Sequence, residues 1–268
     1  MRQPLIDADV LRYEIGFAAE AGWQSDGLPP FDYVAELLEM RINNICAITN
    51  ATTDPILYIT GKTNFRNEIA TRTPYKERLG NKPFHYHNLT AYMQAVYDVR
   101  MKEGLEADDL MSIEQTLRPH ETIICTRDKD LRQVPGWHYG WELGEQPQFG
   151  PIQVVNPGLL ELETKVNAKG VKSYKIRGYG DLFFYSQCLT GDAVDTVPGL
   201  PGTGPTKAFK ILEGSSGSTD AFNRVLEAYR AFYGDDAEKE LLEQGRLLYM
   251  TRELNEDGSP KLWEFPSG

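Results

Sequence analysis

The chain has 268 residues, of which 39 are acidic and 28 are basic, and its formal net charge is -11. Its 41% of hydrophobic residues is typical of a globular protein. No apolar run approaches the roughly 20 residues of a membrane helix, the N-terminal segment lacks the pattern of a secretory signal, and three widely spaced cysteines exclude a disulfide framework and a Cys-x-x-Cys zinc site. We therefore expect a cytoplasmic protein without a membrane partner.

Short apolar runs alternate with helical patterns in the first half of the chain. Residues 4–7, 55–60 and 121–125 are predicted strands, whereas residues 31–48 and 89–99 show apolar side chains at helical spacing. A further helix is predicted to begin near Ala107. Strands that alternate with helices indicate an α/β fold with a doubly wound, mostly parallel sheet.

The second half of the chain changes in pattern. The segments PIQVVNP and SYKIRG alternate with period two and predict a β-ribbon. From Asp181 the pattern is helical, with breaks at VPGLPGTGP and at residues 213–220, and a late helix is predicted at residues 241–250. We therefore predict an α/β domain over residues 1–180, with the β-ribbon at about 136–180, and a helical region over residues 181–268.

Eight carboxylates lie at predicted ends of strands, starts of helices or next to the glycine-proline loop. They are Asp7, Glu106, Asp108, Asp109, Asp128, Asp130, Asp192 and Asp195. Ligands of doubly wound sheets gather at the carboxyl ends of strands, which is where Asp7, Asp128 and Asp130 are predicted to lie. The i,i+2 spacing would place Asp128 and Asp130 on one face of an extended backbone, and the i,i+3 spacing would place Asp192 and Asp195 on one face of a helix.

Such acids have two interpretations. In the first, each acidic residue taken singly is explained by the preference of acidic side chains for helix N-termini and turns. If they meet in one cleft, their mutual repulsion requires protons or cations, and ligation by oxygen alone selects Mg²⁺ or Mn²⁺. Taking these eight charges away from -11 leaves -3, so the acidic total does not exclude a nucleic-acid partner.

The segment GLPGTGPTKAFKIL (199–212) carries a further signal. Pro205 occupies the position where a P-loop needs lysine, which excludes that motif. The pattern instead predicts a glycine hairpin followed by a helix that begins at Pro205. Gly202 and Gly204 would let the backbone approach a phosphate, with Lys207 adding charge. We interpret the loop as a sequence-neutral contact to a nucleic-acid backbone; the alternative is a structural turn.

Several segments, in this order, resemble motifs of the 5′-nuclease (flap endonuclease-like) superfamily, and most of all those of phage-encoded 5′→3′ DNA exonucleases. They are LIDAD (5–9), NFRNEIA with PYKER (64–70 and 74–78), GLEADDL (104–110), CTRDKDL (125–131) and GDAVDTVPGLPGTGPTKAFKIL (191–212). The last segment is similar to the helix-three-turn-helix of that family.

The resemblance implies a two-metal phosphodiesterase that acts on DNA with a 5′ end or a 5′ flap. One ion would be held by Asp7, Glu106, Asp108 and Asp128, and the other by Asp109, Asp130, Asp192 and Asp195. Lys76 and Arg66 would contact the scissile phosphate. The duplex would lie on Gly199, Gly202, Gly204, Thr206 and Lys207, with a K⁺ ion on the carbonyls of that hairpin. The resemblance also implies a monomer, in the host cytoplasm if phage-encoded, that serves DNA replication or host DNA degradation.

Two departures from the family pattern are visible. The family usually has an aspartate at the end of the second strand, where this chain has Gly61; a water molecule or Asp9 would fill that position. The spacing of PYKER leaves Arg78 as the nearest equivalent of a family arginine.

Two other classes remain as alternatives. DADVL (7–11) is similar to the first motif of haloacid dehalogenase-like phosphatases, but GDAVD (191–195) is one residue short of their later motif. A DNA-binding module without catalysis is the other alternative, supported only by Gly61. Exonuclease and flap endonuclease are both compatible with the motifs.

Overall fold

The computed structural model describes residues 2–76, 80–144, 146–167 and 169–266. The chain divides into two compact units. The first unit consists of Met1–Asn64, Leu79–Leu131 and Gly136–Gln153, and the second of Phe65–Arg78, Arg132–Pro135 and Val154–Gly268. The helices, in chain order, are α1 (Ala8–Gly22), α2 (Phe31–Ile48), α3 (Arg66–Ile69), α4 (Tyr86–Val96), α5 (Ala107–Leu117), α6 (Gly180–Thr190), α7 (Pro205–Leu212), α8 (Ser218–Tyr233) and α9 (Ala237–Leu248).

The first unit is built on a six-stranded sheet. Its strands are β1 (Gln3–Asp7), β2 (Ile56–Tyr58), β3 (Asp98–Arg100), β4 (Thr122–Cys125), β5 (Gly136–Gly140) and β6 (Phe149–Val154), in the order β3-β2-β1-β4-β5-β6. The pairs β3–β2, β2–β1, β1–β4 and β4–β5 are parallel. The predicted fold class is confirmed. Because the strand order reverses between β1 and β4, their carboxyl ends flank the position where ligands of such sheets bind.

Apolar side chains from the strands and from the helices of this unit form its core. Ile6, Leu57 and Ile123 from the sheet pack with Leu38 of α2 and Met93 of α4. The helix predicted at residues 89–99 begins earlier and ends at Val96. The residues that follow form β3 instead, because parallel pairing with β2 places them at the edge of the sheet.

The second unit combines helices with an antiparallel hairpin of two further strands, β7 (Leu159–Val166) and β8 (Lys172–Tyr179). Leu160 and Ile176 of the hairpin pack against a core that includes Phe184, Val225 and Leu241. The residues predicted to form one β-ribbon therefore belong to two separate sheets. β5 and β6 extend the main sheet, and only β7 and β8 form a separate hairpin. The predicted boundary at residue 180 does not coincide with this division, because β8 runs directly into α6.

Two predictions about the whole chain can be compared with the described residues. Within that part of the chain, none of the helices combines the length and the apolar character needed to cross a membrane. The three cysteines, Cys46, Cys125 and Cys188, are free thiols.

Candidate active site

Asp7 ends β1 and caps the N-terminus of α1. Its Oδ1 accepts a hydrogen bond from the Val10 N–H at 3.1 Å, and its Oδ2 accepts one from the Thr126 hydroxyl at 2.7 Å. The side chain is buried, and this burial, with the nearby charge of Asp9, raises the pKa of Asp7 to about 6. A cation in contact with this carboxylate would restore its charged form.

The loop after β4 joins the same site through Thr126. The Thr126 hydroxyl, which donates to Asp7, also accepts from the Asp128 N–H at 2.9 Å. Asp128 Oδ1 accepts from the Asp130 N–H at 2.8 Å, and the Lys129 Nζ lies 2.8 Å from Asp130 Oδ1. The backbone is therefore turned, and the prediction that Asp128 and Asp130 share one face of an extended segment is wrong. Local bonds from side chain to backbone N–H override the extended conformation.

The third group of carboxylates begins α5. Glu106 is the N-cap residue and forms a capping box with Asp109, whose Oδ2 accepts from the Glu106 N–H at 3.2 Å. Asp109 is fully buried, and Asp108 is half-buried. The Ala107 N–H donates to the Thr60 hydroxyl at 2.9 Å, which attaches this helix start to the end of β2. The capping interpretation thus holds for Glu106 and Asp109, but each carboxylate has two oxygens and several acceptor positions, so capping does not exclude metal binding.

Two carboxylates lie around the end of β2, where the family pattern predicts one and this chain has Gly61. Asp9 accepts from the Thr60 N–H at 3.1 Å and forms an ion pair with Arg12. Glu103 accepts from the N–H groups of Lys62 and Thr63 at 3.0 and 3.1 Å. A Cβ atom at Gly61 would lie 3.2 Å from the Glu103 carboxylate.

The sequence analysis missed Glu103. Its only local signal is its place just before the acidic motif GLEADDL, and its contact with Gly61 is tertiary. Hydrogen bonds from Thr63 and Lys62 lower the pKa of the Glu103 carboxyl, so it remains charged. A charged carboxylate from another part of the chain therefore lies beside Gly61 and accepts from the N–H groups of the two residues that follow it.

Hydrogen bonds thus connect the ends of β1, β2 and β4 with the start of α5. In the part of the chain that the structure describes, no three His, Cys, Asp or Glu side chains stand in an arrangement that could hold a metal ion. The carboxylates instead engage the hydroxyl and N–H groups named above. The donor chemistry suits a hard divalent cation such as Mg²⁺, since the donors are oxygen atoms and include a buried carboxylate with a raised pKa, but the described side chains are not gathered around one position.

The two predicted ligands in the second unit lie in a turn. Asp192 and Val197 exchange two backbone hydrogen bonds of 2.8 Å, and Asp192 Oδ1 accepts from the Val194 N–H at 2.8 Å. The prediction that Asp192 and Asp195 share a helix face is wrong, because these bonds close a turn between α6 and α7. Both side chains are buried.

Asp195 contacts the predicted phosphate-binding lysine. Its Oδ1 lies 3.5 Å from the Lys76 Nζ, and its Oδ2 accepts from the Tyr75 hydroxyl at 3.2 Å. Lys76 has a positive φ of 50° and a partly exposed side chain. The charge of Asp195 is thus matched by Lys76 within the same unit, and Lys76 retains contact with solvent.

Arg66 lies in a different environment from the one expected of a residue that binds phosphate. Its side chain is fully buried, and its guanidinium donates to the carbonyls of Leu247 and Tyr249 at 2.9 and 2.8 Å. These carbonyls lie at the end of α9, so the contact fixes α3 to α9. A direct role of Arg66 on phosphate stays a prediction, and Arg78 lies outside the described residues.

The glycines of the loop before α7 have two kinds of surroundings, tightly packed or open. Gly199 has a φ of +69°, and a Cβ there would lie 2.2 Å from the Gly191 nitrogen. Gly202 has a φ of +70°, but no atom lies within 4 Å of a Cβ placed at Gly202 or Gly204. Gly204 caps α7, whose first residue is Pro205, as predicted. The backbone at Gly202 and Gly204 is therefore open to a ligand, while Gly199 is required for close packing.

The residues that follow add a cation beside this open backbone. Lys207 is exposed and Thr206 is half-buried. Both lie in the first turn of α7, where the helix dipole and the Lys207 side chain favour an anion, although the N–H of Lys207 itself donates to the Gly204 carbonyl at 3.1 Å. The geometry thus suits a phosphate at Gly202, Gly204 and Lys207.

Two solved structures of phage T5 nucleases share this fold. The flap endonuclease of bacteriophage T5, in a complex with DNA and metal ions, aligns over 92% of this chain and 99% of its own, with a TM-score of 0.52 and 14% identity. The T5 5′-exonuclease with bound zinc ions aligns over 93% and 100%, with a TM-score of 0.52 and 14% identity. At this identity the likeness shows the fold.

Curated proteins with similar sequences are bacterial DNA polymerases. DNA polymerase I of Deinococcus radiodurans is 26% identical over 179 residues, which are 65% of this chain and 16% of the polymerase. DNA polymerase I of Geobacillus stearothermophilus is 23% identical over 226 residues, which are 80% of this chain and 23% of the polymerase. The chain therefore spans less than a quarter of the length of these two relatives. No protein-family model matches it.

Proposed function

We propose that this protein is a metal-dependent 5′ nuclease that hydrolyses phosphodiester bonds of DNA, as a 5′→3′ exonuclease or at a 5′ flap. The observation that carries the proposal is the hydroxyl of Thr126, which connects Asp7 at the end of β1 with Asp128 after β4. These strand ends flank the ligand position of a doubly wound sheet. The solved T5 enzymes of the same fold include complexes with DNA and with metal ions, which supports the same use here.

Two Mg²⁺ or Mn²⁺ ions are proposed. The first would be held by Asp7, Glu106, Asp108 and Asp128, and the second by Asp109 and Asp130, to which the family resemblance adds Asp192 and Asp195. When bound, such ions activate the attacking water and stabilise the leaving oxygen. The protein orients these ligands: Thr126 fixes Asp7 relative to Asp128, and the capping box fixes Glu106 relative to Asp109.

Glu103 is proposed to supply the carboxylate that Gly61 lacks. Its contact with Gly61 and its hydrogen bonds to Lys62 and Thr63 hold it at the end of β2. A glycine is also the residue that leaves room for this carboxylate, because a larger side chain would press against it.

The remaining residues would hold the substrate. Lys76, partly exposed, would contact the scissile phosphate. The open backbone at Gly202 and Gly204, together with Thr206 and Lys207, would hold the duplex, and the carbonyls of the loop are the proposed position for K⁺. Because these contacts go to phosphate and not to bases, binding would be independent of sequence. From the resemblance we propose a role in phage DNA replication or host DNA degradation.

The proposal is tested with a 5′-flap duplex, labelled in separate preparations at the 5′ end and at the 3′ end. We expect cleavage with Mg²⁺ or Mn²⁺, loss of cleavage with EDTA, and products that are shortened from the 5′ side or released as intact flaps. Release of inorganic phosphate without shortening of the strand would favour a phosphatase. Binding without any cleavage would favour a DNA-binding module.

A further inference from the structure

The end of the β7–β8 hairpin is a cationic surface that the proposed function does not use. The segment from residue 164 to residue 176 contains four lysines and no acidic residue, although the chain as a whole has a net charge of -11. Lys165, Lys169 and Lys172 lie towards the turn, and all three are exposed. We refer to these three side chains as the hairpin tip.

The register of the hairpin places its acidic residues near the helices and, among charged residues, only lysines towards the turn. Near the helices, Glu161 is opposite Arg177 and Glu163 is opposite Lys175, and the Arg177 Nε lies 2.7 Å from Glu163 Oε2. Towards the turn the strands bear no carboxylate. Considering only described residues, no carboxylate lies within ion-pair distance of the hairpin tip. The two glutamates thus lie opposite the basic residues nearest the helices, and the end of the hairpin has a net positive charge.

The hairpin is held in place by the second unit. Leu160 and Ile176 pack on the core of that unit, and α7 packs against both β7 and β8. The same helix begins at the glycine loop, at Pro205. The hairpin that carries the tip and the loop at Gly202 therefore belong to one compact unit, and α7 packs against the strands of the hairpin and begins at the loop.

A structural explanation of the lysines is that charged side chains protect exposed strand edges from pairing with other chains. That role is served by glutamate as well as by lysine, and it does not require a segment without acids in an acidic protein. Binding of a polyanion explains a segment that has several lysines and no acidic residue. Duplex DNA carries one negative charge per roughly 1.7 Å of its axis, twice the density of a single strand, so it is the partner that matches several exposed lysines best.

We propose that Lys165, Lys169 and Lys172 bind the phosphate backbone of duplex DNA and extend the contact made by the glycine loop. This inference rests on the proposed function for the presence of DNA, but it does not depend on the metal site. The contact is independent of sequence, because lysine side chains on phosphates read charge and not bases.

The test compares two double variants with the same change of charge. Lys165→Gln/Lys172→Gln alters the two tip residues that stand on β7 and β8, whereas Lys239→Gln/Lys261→Gln alters two exposed lysines elsewhere in the second unit. Affinity for a labelled duplex is measured by fluorescence anisotropy in EDTA over a range of KCl concentrations. The plot of log affinity against log salt should become less steep by about 1.8 for the tip variant, at about 0.9 per phosphate, and should not change for the control.

The possible results separate this inference from the proposed function. A tip variant with the same slope as the control overturns the inference, and if it also self-associates in light scattering, the lysines protect strand edges. A tip variant that loses affinity for single-stranded DNA but not for duplex DNA also overturns the inference. Melting temperatures of all variants confirm that each is folded. If the wild type neither binds nor cleaves DNA, the proposed function itself fails.

Discussion

Replacement of Asp7 by asparagine removes a buried negative charge, and we expect it to stabilise the metal-free protein. Burial, with repulsion from Asp9, raises the pKa of Asp7 from 3.8 to about 6, although hydrogen bonds from Thr126 and Val10 act in the opposite direction. An asparagine side chain keeps an oxygen that accepts from the Val10 N–H, and its amide group can donate to the Thr126 hydroxyl. The substitution therefore removes the charge and retains the bond from Val10, while the bond to Thr126 reverses its direction.

The size of the expected stabilisation follows from the shift in the pKa of Asp7. The folded state holds the proton of Asp7 more strongly than the unfolded state, so the stabilisation from this carboxyl is fully present below pH 3.8 and is lost as the pH rises to about 6. A shift of about two pKa units corresponds to about 3 kcal/mol. The free energy of unfolding of Asp7→Asn should therefore exceed that of the wild type by up to about 3 kcal/mol above pH 6, and by close to zero near pH 4.

The assay is urea unfolding in EDTA at a series of pH values from about 4 to 8. Asp26→Asn, which removes the charge of an exposed aspartate in the same unit, is the matched control for the loss of one carboxylate. Adding Mg²⁺ should then stabilise the wild type, by about 2.7 kcal/mol at a hundredfold excess over its Kd, and should stabilise Asp7→Asn much less. A variant that is less stable than the wild type at pH 7, or a difference that does not grow with pH, would refute the reasoning.

Three further substitutions test other parts of the site. Glu103→Gln should raise the Mg²⁺ concentration needed for half-maximal cleavage. Gly61→Asp should lower this concentration only when Glu103→Gln is also present, since in the wild type the new carboxylate would repel Glu103. A lower Mg²⁺ requirement for Gly61→Asp alone would contradict this. Arg66→Met should cost about 2 to 4 kcal/mol in urea unfolding, because it leaves the buried Leu247 carbonyl and the partly buried Tyr249 carbonyl without this donor. Unchanged stability with a large loss of single-turnover rate would instead favour a role on phosphate. Lys207→Ala should weaken duplex binding on all sequences and reduce the salt slope by about 0.9; unchanged affinity would reduce the loop to a structural turn.

The elements of the main sheet could be predicted from the sequence because their signals are local and strong. The apolar runs of β1, β2 and β4 are each bounded by polar or glycine residues, and α2 shows regular helical spacing. β3 could not be predicted, because Val99 continues the apolar pattern of α4 and only pairing with β2 makes it a strand. The sequence likewise predicts that Asp7 and Asp128 lie at the carboxyl ends of strands, and Asp7 ends β1 while Asp128 follows β4.

The geometry of the site could be predicted only in part. Spacing places Asp128 and Asp130 near each other, but their hydrogen bonds to backbone N–H groups decide the turn that they adopt. The contact of Glu103 with Gly61 joins residues far apart in the sequence, and no pattern around either residue signals it. Arg66 lies in a motif similar to that of a phosphate-binding segment, and its burial depends on the packing of α9.

The central claim is that the carboxylates at the strand ends perform metal-dependent cleavage, while the second unit holds the DNA. Asp128→Ala tests it most directly, with single-turnover cleavage of a 5′-flap duplex measured in Mg²⁺ and duplex affinity measured in EDTA. The cleavage rate should fall by roughly a thousandfold or more, as expected for the loss of several kcal/mol of stabilisation. Duplex affinity should stay equal or increase, because a negative charge near phosphate is removed. Cleavage by Asp128→Ala at a rate near that of the wild type, or a loss of affinity that accounts for the loss of cleavage, would contradict the account.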